Sequence, residues 1–212
     1  MNKAQFALTA HAIALIAAMA FAVPALTEAL GGKTGFLVSL LLYWLGFCLP
    51  VIAFHIWPDC GDLFSERLRW RDWWLPLVLL AQVFAVALIV FVPHTAMLTT
   101  QAAMLAGLVG LINAPMEETA WRGGFMRVFA ERPRLGFALG WALFTAAHIP
   151  LLLGTTLVID GGWPLLVGSA AALGLLWSWI AWRTGSVFWT IIAHTLTDII
   201  VIWHVFDRNG LA

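Results

Sequence analysis

Residues 117–122 read Glu-Glu-Thr-Ala-Trp-Arg, which sets Glu117, Glu118 and Arg122 inside a stretch otherwise built from Leu, Ala, Gly, Met, Trp and Phe. Farther along, Phe144 and His148 stand four positions apart in one apolar run, and His194 and Asp198 in another. An i, i+4 pair shares one helical face, and Glu118 with Arg122 repeats that spacing with the acid first, the more favourable order for an ion pair. A carboxylate and an imidazole held close in a low-dielectric pocket can together draw a proton from water and make a nucleophile for a carbonyl. A second histidine, oriented by Asp198, can donate a hydrogen bond to the oxyanion that follows. The candidate catalytic set is therefore Glu117, Glu118, Arg122, His148, His194 and Asp198. No cofactor is required by these groups, but Glu117, His148, His194 and Asp198 are also a donor set for a divalent metal such as zinc, with a position left for water. The His-Glu-x-x-His helix of common metalloproteases is missing.

The elements that must position these groups are membrane helices. With 62% hydrophobic and 10% charged residues, the chain is far from soluble domains, where roughly a quarter of residues are charged. Apolar runs near the ~20 residues needed to span a bilayer fall at 6–26, 36–57, 73–92, 97–116 with a continuation to 129, 135–153, 163–182 and 186–206. Short connections between them carry Gly31-Gly32, Pro58, Pro93, Pro133, Gly161-Gly162 and Gly185. The expected fold is an all-α polytopic bundle of about seven helices. It forms a single integral membrane domain over 1–212, with N-terminal helices to about residue 95 and the three motifs on those over about 96–206. The first run also has the features of a signal peptide, with Lys3 before it and Ala20-Phe21-Ala22 as a small-residue site; its length favours an uncleaved helix.

Basic residues orient the bundle. Lys3, Arg67, Arg69, Arg71, Arg127, Arg132, Arg134 and Arg183 fall in connections on one side, against Lys33 and Arg208 on the other. Cytoplasmic loops are enriched in Lys and Arg, so the N-terminus is expected in the cytoplasm and the C-terminus outside. Measured from the cytoplasmic helix ends, Glu117, His148 and His194 lie at depths of roughly 20, 20 and 12 Å, and Arg122 and Asp198 at roughly 12 and 18 Å. A charge at the bilayer centre costs at least a few kcal/mol, so groups at matched depths are expected to partner one another. Pro115 removes a backbone hydrogen bond and crowds the carbonyl of Leu111, which predicts a kink and a wet pocket beside the two glutamates.

The remaining polar and aromatic residues read more simply. His11, His55, His94 and His204 are placed near helix ends or loops, and Glu28, Asp59, Asp62 and Asp160 in solvent. Cys48 and Cys60 have neither the number nor the spacing of a disulfide framework or zinc knuckle. Trp57, Trp70, Trp73, Trp74, Trp177, Trp179 and Trp182 are assigned to an inner interfacial belt, Trp163 and Trp203 to an outer one. Residues 65–74 are read either as an amphipathic surface segment or as an ordinary positive loop. Trp121 and Trp141 lie near the site, with packing favoured over lining a cleft.

Taken in order on three hydrophobic helices, Glu117-Glu118-x-x-x-Arg122, Phe144-x-x-x-His148 and His194-x-x-x-Asp198 resemble the motifs of the CAAX-protease and bacteriocin-processing (CPBP, or Abi) family of intramembrane endopeptidases. The resemblance covers about residues 100 to 205. It implies a glutamate-type peptidase in which Glu117 activates water with His148, Glu118 and Arg122 support the site, and His194 with Asp198 stabilises the oxyanion. The prenyl-protein proteases typically have Asn where this chain has Asp198; aspartate is a poorer oxyanion donor unless protonated, and a better histidine orienter or metal ligand.

The expected partners are a membrane-associated peptide or protein substrate and the lipid bilayer, and the expected location is a cell membrane, of the prokaryotic inner type. A site opening toward the cytoplasm would suit a cytosolic or membrane-embedded peptide tail. A formal charge of zero predicts no nucleic-acid partner, since phosphate binding needs a concentrated excess of Lys and Arg. Oligomeric state is not read from the sequence. Two other classes stay open: a proton- or ion-coupled transporter, although the N-terminal helices hold no counterpart of the acidic motif, and a non-catalytic immunity or scaffold protein.

Overall fold

Gly31 is the first break in an otherwise helical start. In the computed structural model, which describes residues 1–57, 60–93, 99–154 and 156–210, helix α1 (Lys3–Tyr43) contains one non-helical residue, Gly31, at φ 77° and ψ 159°. A positive φ is costly for any residue with a Cβ. The chain folds back there into two arms, and Gly35 sits so close to Thr27 that a Cβ would lie 2.5 Å from the Thr27 Cα. The second arm continues through wider, π-helical turns at Trp44–Cys48 and Ile52–Ile56. His11 Nε2 meets the Gly46 carbonyl at 2.7 Å, so this histidine ties the two arms together within the helix, contrary to the expectation that it lies at a helix end.

Five further helices complete the described bundle: α2 (Leu75–Phe91), α3 (Thr100–Glu117), α4 (Pro133–Ala146), α5 (Gly162–Thr184) and α6 (Phe188–Arg208). Among the described residues there is no strand. The stretches Lys3–Ile56, Trp70–Phe91, Pro133–Leu153, Gly162–Thr184 and Phe188–Arg208 are long and apolar enough to cross a membrane, and the chain is a multi-pass, all-α membrane protein. Helix α3 is not among these stretches, because its polar residues dilute it. It lies along α6 and leaves Met104, Leu108 and Leu111 exposed on its outer face. Gly110 permits that approach, since a Cβ there would sit 3.1 Å from Ile199 and 3.2 Å from Asp198.

Polar contacts fasten each end of the bundle. At the arginine-rich end, Arg183 binds the buried Asp72 at 2.6 and 3.0 Å, and Ser186 Oγ donates to the carbonyls of Leu63 and Ser65. These contacts fix residues 65–74 as a loop closed by the short 3-10 turn Trp70–Asp72, not an amphipathic helix. At the opposite end, Thr156 Oγ1 donates to the Thr27 carbonyl, and Asn209 pairs with the Val158 backbone in both directions. Asp160, expected in free solvent, accepts from His204 at 2.9 Å and from Arg208 at 3.3 Å. Cys48 is buried and Cys60 exposed, both as thiols. Trp57, Trp70, Trp73 and Trp163 are exposed as a belt requires, whereas Trp177 is buried in the core. Pro58, Asp59, His94 and the expected start of the fourth span at Met97 lie outside the described residues.

Candidate functional site

The acidic pair stands where α3 changes its winding. Pro115 lacks an N–H, and its carbonyl accepts the Thr119 hydroxyl at 2.6 Å, so Glu118–Gly124 follows as a π-helical stretch before Phe125–Val128 returns to α. Such wide turns are rare and concentrate at functional sites. More residues per turn means a smaller angle between neighbours, which turns Glu117 and Glu118 toward the same side. Gly123 and Gly124 let the widened turn lie against Leu63 and Val51, which added Cβ atoms would meet at 2.8 and 2.6 Å.

Glu118 and Arg122 form a fully buried ion pair, Oε1 to Nη1 3.0 Å. Burial of both charges is tolerable only with further partners. Arg122 finds them in the Gly174 carbonyl at 3.4 Å and in the Phe144 ring, whose centroid lies 3.9 Å from the guanidinium carbon. Glu118 Oε1 also lies 2.8 Å from His194 Nδ1. On the far side of that imidazole, Nε2 faces Glu117 Oε2 at 3.5 Å and Asp198 Oδ1 at 3.3 Å. Asp198 is gripped in turn by Asn113 Nδ2 at 2.9 Å, and Asn113 Oδ1 accepts from the Trp44 indole at 2.8 Å. Trp177 covers the His194 ring, centroids 4.1 Å apart, with its own N–H on Gln82 Oε1.

His148 approaches from another direction. It was expected on a helix reaching to residue 153; instead α4 ends at Ala146 and a 3-10 turn, Ile149–Leu153, follows. Pro150 disfavours an α conformation at Ile149 before it, which places His148 at the joint. Its Nδ1 lies 2.9 Å from the Phe144 carbonyl. A carbonyl only accepts, so Nδ1 carries the hydrogen and Nε2 keeps the basic lone pair.

A cavity of about 180 Å³ joins these groups, with Glu117, His148, Asp198, Asn113 and Tyr43 on its polar floor and Leu15, Met19, Leu151, Ile159 and Ile202 among its apolar walls. Glu118, Arg122 and His194 stand behind the floor, outside the lining. Tyr43 accepts from the Trp121 indole at 2.6 Å and shares the cavity floor with Glu117. Thus five of the six sequence-predicted residues meet around His194, and His148 joins them across the cavity.

Residues 99–200 match the family model described as Rce1-like, type II CAAX prenyl endopeptidase Rce1-like. The matched segment is just under half of the 212 residues and is similar to that family, in line with the resemblance read from the three motifs. Neither a curated protein nor a solved structure matches the chain. All six candidate residues fall inside the Rce1-like segment, whereas Tyr43, on the cavity floor with Glu117, and Trp44, which braces Asp198 through Asn113, come from outside it. The family is one of membrane endopeptidases, which makes peptide hydrolysis the chemistry to weigh against this geometry.

The cavity walls belong to the bundle half near Gly31 and Ile159. Trp177, assigned to an interfacial belt, is the shelf under His194. Trp121 and Trp141 pack, as favoured, with Trp141 Nε1 on the Ala171 carbonyl, and neither lines the cavity. Asn113 and Tyr43 were missed, although an Asn four positions before Glu117 and the single tyrosine of the chain are both visible polar exceptions in apolar runs. As for a metal, no three His, Cys, Asp or Glu side chains among the described residues are placed to share an ion. Both nitrogens of His194 already face carboxylates, so the set does not fit one as it stands.

Proposed function

We propose that the chain is an intramembrane endopeptidase that hydrolyses a peptide bond of a membrane-associated substrate, with Glu117 and His148 as the groups that activate water. The observation that carries this reading is the sorting of the two adjacent glutamates. Glu117 lines the cavity, whereas Glu118 is completely buried against Arg122 and His194. One carboxylate is free to meet a water; the other holds the frame.

In this reading, a water between Glu117 and His148 loses a proton to one of them as its oxygen attacks the scissile carbonyl. His194 Nε2 faces the gap between Glu117 and Asp198, so a carbonyl oxygen seated there would meet its N–H as negative charge develops. Asp198 and Glu118 hold the ring from either side, and Trp177 fixes its plane. The proton then passes to the leaving amine. General acid–base catalysis of this kind contributes about 10²–10⁴ in rate.

The test is cleavage of membrane peptides with uncharged flanking residues by purified wild type, Glu117→Ala and His148→Ala, each with and without chelator. Loss of at least ~100-fold in both variants is the expected result. Equal turnover by all three would refute the assignment and favour a scaffold role, and chelator-sensitive activity restored by one defined metal would replace it with a metal mechanism.

A further inference from the structure

We infer that Gln82 on α2 is a positioning residue for His194: it holds the Trp177 indole on which that imidazole lies, and with it the direction in which the His194 Nε2–H points. The inference rests on the peptidase reading for the use made of that N–H, whereas the link from Gln82 to the ring rests on geometry.

Helix α2 is otherwise apolar. Gln82 is the one polar side chain among its 17 residues, and Leu77, Leu80, Phe84, Leu88 and Ile89 of the same helix are exposed on the outside of the bundle. An amide in hydrocarbon is tolerated when a neighbouring helix satisfies it. Gln82 is satisfied by two. Its Oε1 accepts from Trp177 Nε1 on α5 at 3.2 Å, and its Nε2 donates to Thr197 Oγ1 on α6 at 3.0 Å. An indole N–H only donates, so the amide has a single orientation. The Thr197 hydroxyl then donates to the Ala193 carbonyl at 2.8 Å, one residue before His194.

What these contacts fix is the tilt of the imidazole. Glu118 meets His194 Nδ1, while Glu117 and Asp198 face Nε2, so the polar contacts of the ring all lie at its edges. Edge contacts alone leave a ring free to rock out of its plane. Trp177 restrains that motion by stacking on one face, centroids 4.1 Å and planes 27° apart. The shelf serves only if it is itself held, and the single polar atom of the indole is the one bound by Gln82. An oxyanion donor must come within about 2.7–3.1 Å of the developing charge, so a rocking His194 loses turnover more than substrate binding.

Gln82→Met keeps the length of the side chain and removes both bonds; Thr197→Val removes only the bond from Nε2. Full-length protein with 13C-labelled histidine is observed by NMR in detergent, and His194→Gln identifies the His194 signal by its loss. Protons held over an indole face are shielded, so the His194 ring signal should lie upfield of the ordinary imidazole range in wild type. Gln82→Met should move it downfield, and Thr197→Val should move it less. In peptide cleavage, Gln82→Met should lower kcat by roughly 3- to 10-fold with KM nearly unchanged. In a Trp177→Phe background, where Gln82 has no N–H to hold, the same substitution should add nothing to either readout. An unmoved His194 signal in Gln82→Met, or an equal loss in the Trp177→Phe background, would overturn the inference. A moved signal in a protein whose wild type cleaves no peptide would support the hold of Gln82 on the ring and remove the peptidase reading, so the two fail separately.

Discussion

Glu118 Oε1 lies 2.8 Å from His194 Nδ1, a contact across 76 positions of sequence made behind the cavity floor. Its neighbour Glu117 reaches the cavity and touches the other nitrogen of the same ring. Adjacent carboxylates on one helix therefore act on opposite edges of one imidazole.

Glu118→Ala and Glu117→Gln should fail in different ways. Truncating Glu118 strands the Arg122 guanidinium in the core, and breaking a buried pair from one side costs about 3–5 kcal/mol. Thermal unfolding in detergent should register that loss. Glu117→Gln keeps the side-chain volume, leaves the Arg122 pair intact and should unfold near the wild-type temperature, while peptide cleavage falls by at least ~100-fold. A Glu118→Ala protein as stable as wild type would show that the pair does not hold the frame.

The Trp44–Asn113–Asp198 relay predicts an ordering of effects on turnover. A hydrogen bond to a charged group is worth about 1.5–3 kcal/mol, so Asn113→Ala should lower kcat by roughly 10- to 100-fold. Trp44→Phe removes only the indole N–H that orients the Asn113 amide and should cost less. KM should change little in either. Steady-state kinetics in which Trp44→Phe is the more damaging would place Trp44 in direct contact with substrate instead.

The convergence of the six candidate residues was legible because charge in an apolar run has few places to go. Glu118, Arg122, His194 and Asp198 lie at spacings that put them on helical faces, and burial forces such groups to find one another. What stayed hidden depends on tertiary packing. The π-helical winding at Glu118–Gly124 follows from one hydroxyl on the Pro115 carbonyl and two glycines set against the second arm of α1, and no local propensity announces it. Trp177 reads as a belt residue because tryptophan in a membrane protein usually is one; only the approach of α6 makes it a shelf for His194. The shape of the cavity stayed hidden for the same reason. Its walls come from both arms of α1, from α5 and α6 and from the turn after α4, so no single helix records it.

Gly174 on α5 tests how tightly the buried charge is packed. A Cβ there would lie 2.9 Å from Phe144 Cδ1 and 3.4 Å from Arg122 Nη2, pressing on the ring that covers the guanidinium. Gly174→Ala should therefore destabilise by about 1–3 kcal/mol, the usual cost of overpacking. Gly168 lies on the same helix with nothing within 4 Å of an added Cβ. Gly168→Ala should be neutral or stabilising by about 0.5–1 kcal/mol, since alanine is the better helix former. Equal thermal shifts for the two variants would mean that helix propensity, not the Phe144 contact, decides the response.

The contact of Asp160 with His204 and Arg208 makes the cavity wall sensitive to acid. Partial burial alone would raise the Asp160 carboxyl, but hydrogen bonds from His204 and Arg208 outweigh it and hold the group below its ordinary value of 3.8. A lowered value in the fold means that the ionised form is the one bound. Its stabilisation is complete above pH 3.8 and disappears as pH falls through the lower folded value. Because Ile159 lines the cavity next to Asp160 and Asn209 holds Val158 by 2.7 and 2.9 Å bonds, loosening this contact should free the wall. Amide exchange at Val158, corrected for the intrinsic pH dependence of exchange, should accelerate below pH 3.8 in wild type. In Asp160→Asn it should be fast at every pH, because the amide cannot form the charged pair. A pH profile unchanged by Asp160→Asn would assign the acid response to another group and leave Asn209 as the clamp that holds this part of the wall.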